Sequence, residues 1–348
     1  MSSNNLLRAA ARAFLIVATT ALVLGMMPAR AERVESPLEL LYKPGNLLVA
    51  GPLIEINPSG RLVFARKEVL GGKPQPPDKI DVRAPMSVLQ TAKLGERYIF
   101  GYSLVRPDPR NPTRTIADPD GAILLTSIGL EPALFRDTPD VRAILKVARS
   151  ERGRESQRLF DLLMQALAGP DPQLQNLAAG EIAQELEMGE RLREGGRNVV
   201  EKVARNLHTP AGVRATLLLA AATRPADLGD WWQAASTDVV TSTPVDGYAA
   251  GTSDPTGLVL LALEVLNQHA VTVPPDALKR WVWSASPALV ERACLMLRRE
   301  FPAGERTVIQ QALADPKLPG QTRKFLNDHL RRLDRLDAKS NARKDGTG

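Results

Sequence analysis

The chain holds one cysteine in 348 residues, three histidines, and few aromatics, with Phe, Trp and Tyr together at 4%. A single thiol excludes an internal disulfide framework, so cohesion must come from packing. Cys294 sits in the apolar stretch Leu289–Leu297, which predicts a buried small hydrophobe and not a nucleophile. His208, His269 and His329 are far apart, and no His-x-x-x-His or Cys-x-x-Cys spacing occurs. A metal site therefore has no local signature, and each histidine is expected at the surface or at a helix end. No metal or other cofactor is implied. The Gly-x-Ser-x-Gly elbow and the phosphate-binding Gly-x-x-x-x-Gly-Lys-Ser/Thr loop are also missing, which removes support for serine hydrolase and nucleotide chemistry. Beyond Met27 no apolar run is long enough to cross a bilayer.

What the beginning does contain is a leader pattern. Arg8 and Arg12 are basic, no acid precedes Glu32, and Ala13 to Met27 are apolar apart from Thr19 and Thr20. That run has the length of a signal core and falls short of the ~20 residues of a span. Ala29-Arg30-Ala31 places small residues where a signal peptidase reads, so residues 1–31 are expected to be a signal peptide cut after Ala31. The expected compartment is periplasmic or secreted, and the mature chain has no transmembrane segment. The charge follows the same cut. Of 45 basic and 39 acidic residues, three arginines lie in the leader, which leaves 42 against 39. So small a surplus gives no nucleic-acid footprint. Part of it lies near the end, in Arg331, Arg332, Arg335, Lys339, Arg343 and Lys344, and residues 339–348 read as a disordered basic tail. A solvated tail and attraction to an anionic membrane or glycan surface are both readings of it.

Two periods divide the rest. Within residues 32–130, Leu47–Ile56 and Arg61–Leu70 are rich in branched residues and flank the turn Asn57-Pro58-Ser59-Gly60. Lys79–Arg83, Arg97–Leu104 and Ala122–Thr126 supply three more strands, with one or two helical turns over Met86–Lys93. Five strands with a helix after the third predict a small OB-like barrel. Val49-Ala50-Gly51, the run from Phe64 to Gly72, and Leu94-Gly95-Glu96-Arg97-Tyr98-Ile99-Phe100 resemble the netrin-like domains related to metalloproteinase inhibitors. The resemblance covers roughly residues 45 to 127 and implies an OB-like barrel. Inhibitory members present an amino-terminal cysteine to the target's zinc, and no cysteine precedes Cys294 here, so barrel shape carries over and inhibition does not.

From about Pro139 the pattern becomes helical. Thr138-Pro139, Asp171-Pro172, Thr209-Pro210, Asp254-Pro255 and Ser286-Pro287 each pair a capping side chain with a proline suited to a first turn. Successive prolines lie 33, 38, 45 and 32 residues apart, and Ala- and Leu-rich segments fill the intervals. Residues 136–338 are thus expected to form an all-α, HEAT-like repeat domain, with a compact irregular bundle as the alternative. The fold class is α+β.

Candidate functional residues are sparse. Ser236 to Thr256 reads as a long polar loop beside Trp231 and Trp232 and containing Tyr248; the three aromatics either bind a sugar or peptide or pin the loop. On the barrel, Tyr98, Phe100, Tyr102 and Arg66 are candidates, although the three rings share one face of a strand and equally suit the core. Glu181, Glu185, Glu187 and Glu190 are followed by Arg191, Arg193 and Arg197, which reads as a solvated, salt-paired face and not a glycosidase pair. Asp118, Asp120 and Gly121 lack the closing ligands of a calcium loop. The expectation is an exported, non-catalytic interaction or scaffold module whose partner is another envelope or secreted protein. A carbohydrate-active or peptidoglycan-modifying enzyme is the second reading, and an inhibitor of a secreted hydrolase, suggested only by the netrin-like resemblance, is the third.

Overall fold

The computed structural model describes residues 35–73, 75–108, 110–117, 121–150, 156–185, 191–192, 194–245 and 254–345. The leader with Ala31, Asp118, Asp120, Glu187, Glu190, Arg193 and Tyr248 lie outside the described residues. The fold is α+β: a closed five-stranded barrel in the N-terminal half, then helices. Among the described residues two compact units form. One runs to Thr209 and takes in Arg224–Leu228; the other comprises Pro210–Thr223 and the chain from Gly229 onward.

The first unit opens with the short helix α1 (Pro37–Leu41). There follow β1 (Asn46–Asn57), β2 (Arg61–Ala65), β3 (Glu68–Gly71), β4 (Lys79–Arg83), helix α2 (Met86–Thr91) and β5 (Arg97–Ser103), then β6 (Val105–Asp108), β7 (Asn111–Ala117), β8 (Ala122–Leu124) and β9 (Leu134–Arg136). Pairing runs β1–β2–β4–β8–β5 and returns from β5 to β1, which closes the ring. All five contacts are antiparallel except β4–β8. With α2 after the third barrel strand, this is the OB-like arrangement expected from the sequence.

Three departures have local causes. The segment Arg61–Leu70 is two strands, because the chain changes partner at Arg66. Arg66 N–H donates to Asp78 O (2.8 Å) on one side, and Lys67 N–H donates to Ala50 O (3.0 Å) on the other. The crossing is tight enough that a Cβ at Gly51 would lie 1.9 Å from Ala65 O. The ribbon β6–β7, which pairs with itself and contains Pro107 and Pro112, is not among the five expected strands. Prolines offer no N–H, and on a two-stranded ribbon they suit an edge. β9 was likewise missed; it pairs with β5.

Strands β2 and β4 alternate buried and open positions, as strands with one wet face do. The inward set, including Leu62, Phe64, Ile80, Val82, Tyr98, Phe100 and Tyr102, forms the barrel core. In β5 and the first half of β1, by contrast, both faces are buried. The outer side of that pair is covered from within the same unit. Leu41 of α1 approaches so closely that a Cβ at Gly101 would lie 2.6 Å from its Cδ2, and Tyr42 donates its hydroxyl to Leu145 O at 2.8 Å.

The remaining helices of this unit are α3 (Pro139–Ser150), α4 (Gln157–Ala168), α5 (Pro172–Gln184), α6 (Glu194–Arg205) and α8 (Pro225–Leu228), while α7 (Ala211–Thr223) opens the second unit. There α9 (Trp231–Ser242), α10 (Thr256–Gln268), α11 (Pro275–Lys279), α12 (Pro287–Glu300), α13 (Glu305–Ala314) and α14 (Gly320–Asp345) follow. All five expected starts lie within two residues of a helix. Asp171 accepts from Gln173 and Leu174 N–H, and Thr138 accepts from Val141 N–H. Ser286 makes no such bond.

Two expectations are corrected. Ser236–Ser242 is not loop but the second half of α9. Thr237, Thr241 and Ser242 return their hydroxyls to the carbonyls of Gln233, Thr237 and Asp238 four residues back, at 2.9, 2.9 and 2.5 Å, and Val239 and Val240 are buried. That bonding lets polar residues stay helical. The expected disordered tail is helical through Asp345: no glycine or proline interrupts residues 321–345.

Candidate functional site

The barrel has one covered and one open side. On the open side β2 and β4 are in register, with Arg61 opposite Arg83, Val63 opposite Asp81 and Ala65 opposite Lys79. Because strand side chains alternate, these six share the outer face. Lys79, Asp81 and Arg83 are exposed, and Arg61, Val63 and Ala65 are half-buried. Like charges directly opposed across an antiparallel pair oppose folding. Here Arg61 turns to the diagonal Asp81, with Nε donating to Oδ1 at 2.7 Å and Nη2 to the backbone carbonyl at 3.1 Å. At the edge Arg66 is paired with Asp78. Ile54, 44% exposed, lies toward the end of β1, the neighbouring strand. The result is a ribbed polar surface with four cations, two carboxylates and small apolar patches.

The aromatic candidates of the barrel point the other way. Tyr98, Phe100 and Tyr102 are buried in one stack with Phe64: ring centroids lie 4.1 Å apart for Phe64–Phe100, 5.8 Å for Phe100–Tyr102 and 6.2 Å, edge-on, for Phe64–Tyr98. Tyr98 Oη donates to Glu96 Oε2 and accepts from Lys93 N–H, both at 3.0 Å. Burial pushes the Tyr102 phenol up to about 12, against the opposing field of Arg66. These rings hold the barrel together, and of the barrel candidates only Arg66 reaches solvent.

In the second unit Trp232 is buried against the His269 ring at 4.7 Å, while Trp231 is half-buried. The two tryptophans thus do not form one exposed aromatic surface. Trp232 packs within the helices.

For two of the four glutamates, Glu181 and Glu185, the expected solvated face is corrected. Glu181 and Glu185 are each 3% exposed, not solvated. Glu181 Oε1 accepts the backbone N–H of Leu38 at 2.6 Å, serving the first turn of α1. Around Glu185, Arg224 closes the end of α5 by donating to Ile182, Ala183 and Glu185 carbonyls. A signal existed: Leu174, Leu177, Ala178, Glu181, Ile182 and Glu185 fall at i, i+3, i+4, i+7, i+8 and i+11, the buried stripe of a helix. His329 was also misassigned. It lies within α14, Nε2 2.9 Å from Glu305 Oε1 and 3.3 Å from Arg298 Nη2, and Arg298 donates to both Glu305 oxygens at 2.8 and 3.1 Å. His208 is exposed and His269 ends α10, as expected.

Cys294 is fully buried, and burial drives its thiol up to about 12, which suits a packing role. Among the described residues no three His, Cys, Asp or Glu side chains converge as a metal site, and no helix is long and apolar enough to cross a membrane. No family model, curated protein or solved structure matches the chain. The netrin-like resemblance accordingly rests on the residues quoted for it.

Proposed function

We propose that this chain is an exported, non-catalytic docking module of the cell envelope, which offers the open β2–β4 side of its barrel to another envelope or secreted protein. The observation that carries the reading is the asymmetry of the barrel. The β1–β5 side is covered by α1 and its neighbours, whereas the β2–β4 side carries Arg61, Lys79 and Arg83 to solvent. OB-type barrels commonly bind through this strand face and the adjoining loops. That is an argument from fold, and the pre-ordered Arg61–Asp81 pair adds a local one: an arginine held by its own sheet loses little freedom when a partner's acceptor arrives. The leader pattern supports export. The order of helix contacts supports a HEAT-like stack, because α3–α4, α4–α5, α9–α10 and α12–α14 pack on near neighbours in sequence.

A photoreactive residue placed at Val63 in living cells tests the proposal. It should yield one discrete adduct, absent when the probe stands at exposed Leu207 and lost in Arg61→Glu/Arg83→Glu. An adduct that forms equally from both positions, or none from Val63, rejects the open face as the docking surface. Recovery of the native protein from the periplasmic or secreted fraction, beginning at Glu32, tests the compartment separately.

A further inference from the structure

The helical course of the terminal segment changes what its basic residues can do. At 100° per residue, the buried Thr322, Leu326 and Leu333 of α14 fall on one side, and Lys324, Arg331 and Arg335 fall about 180° away. Thr322 donates its hydroxyl to Ser284 O at 2.7 Å, and Arg323 donates to Leu313 O and Asp315 O at 2.5 and 2.6 Å, so the helix is held by its inner side. The outer side is a straight row of cations spanning about 16 Å from residue 324 to residue 335.

Two of the helix's acids are engaged away from that row. Asp334 and Asp337 are taken by Arg306 of α13, at 2.7 and 2.5 Å. Asp328 lies 3.4 Å from Arg331. Lys324, Arg332 and Arg335 have no ionic partner among the described residues, and all three are exposed. Leu336, 55% exposed, stands about a third of a turn from the row.

We infer that the outer side of α14 docks the protein on an anionic lipid surface. A compact anion meets one or two of these groups, whereas a plane of acidic headgroups meets the whole row at once and leaves Leu336 at the headgroup boundary. The attraction is peripheral, with no span required, and it is additive: each basic residue near such a surface contributes about fivefold to partitioning, and salt weakens it. This reading does not depend on the barrel face.

Cosedimentation of the protein, purified from the exporting cells, with phosphatidylglycerol–phosphatidylcholine vesicles tests it against phosphatidylcholine alone. Binding to the anionic vesicles only, released by salt, is the expected result. Lys324→Glu/Arg331→Glu/Arg335→Glu should lower the bound fraction more than about tenfold, and Arg331→Gln/Arg335→Gln by an intermediate factor, with unchanged circular dichroism. Charge reversal of Arg61, Lys79 and Arg83 should leave vesicle binding intact. Equal binding to neutral vesicles, insensitivity to the α14 substitutions, loss on reversal of the barrel face instead, or binding to an acidic polysaccharide without binding to vesicles would each overturn the assignment.

Discussion

Glu181 Oε1 lies 2.6 Å from the backbone nitrogen of Leu38, a bond between residues 143 positions apart. It places a carboxylate from α5 against the first turn of α1, where N–H groups have no helical acceptor. Since α1 covers the β1–β5 side of the barrel, this contact bears on the cohesion of the whole first unit. Glu181→Ala would leave a buried N–H unsatisfied and should destabilise by about 1–3 kcal/mol, while Glu181→Gln, which keeps an acceptor, should lose less. Chemical denaturation followed by circular dichroism distinguishes the two.

One residue earlier, Gly180 makes a second prediction. A Cβ there would lie 2.6 Å from Gly129 Cα, 2.8 Å from Pro37 Cγ and 2.9 Å from Ile128 O. In an open helix, Gly→Ala stabilises by up to about 1 kcal/mol. Here the sign should reverse, with Gly180→Ala destabilising by about 1–3 kcal/mol through overpacking. Gly195, which has nothing near its own Cβ position, is the control: Gly195→Ala should stabilise or be neutral in the same melt.

These two sites show why part of the molecule was readable in the sequence and part was not. Strands β2 and β4 were legible because one face is wet, so their burial alternates with period two. Helix starts were legible because capping is local, as Asp171 illustrates. The covered side of the barrel was not, since the first half of β1 and most of β5 are buried on both faces and their covering partners come from distant segments. Glu181 and Glu185 were misread for the same reason: the arginines nearby in sequence suggested salt-paired solvent exposure, but Leu38 and Arg224 are the groups they meet or adjoin in space. The aromatic row Tyr98, Phe100 and Tyr102 was correctly seen as one-faced, and only burial decides that the face is inward.

Acid sensitivity should centre on the carboxylates held by arginine. Burial opposes the charge of Glu305, but hydrogen bonds from His329 and Arg298 outweigh it, and the carboxyl ends below its ordinary value. For Asp137 the hydrogen bonds from Arg142 lead, against burial, with Arg97 adding to them. A folded value below the unfolded one means stability that is complete above about pH 4, the unfolded carboxylate range, and is lost as pH falls through the folded value. Unfolding midpoints should therefore drop steeply below about pH 4. Glu305→Gln should flatten that drop while lowering stability at neutral pH.

The lone thiol supplies the last prediction. Cys294 is wholly inside α12, and burial first, then the nearby Glu305 carboxylate, raises its thiol to about 12 despite Arg298. The thiolate is the species that alkylates, so at neutral pH the native protein should resist iodoacetamide on two counts, access and ionisation. In guanidinium both barriers vanish, and one label per chain should appear by mass spectrometry. Substoichiometric labelling under native conditions then reports the opening of the helices around Cys294, because a group this buried reacts only from an opened state. Glu305→Gln removes a charge that links α12, α13 and α14, and should accelerate that labelling; a mutation confined to the barrel surface, such as Lys79→Ala, should not. If the native thiol reacts at the rate of a free peptide cysteine, Cys294 is not the packed residue described, and the helical unit is open in solution.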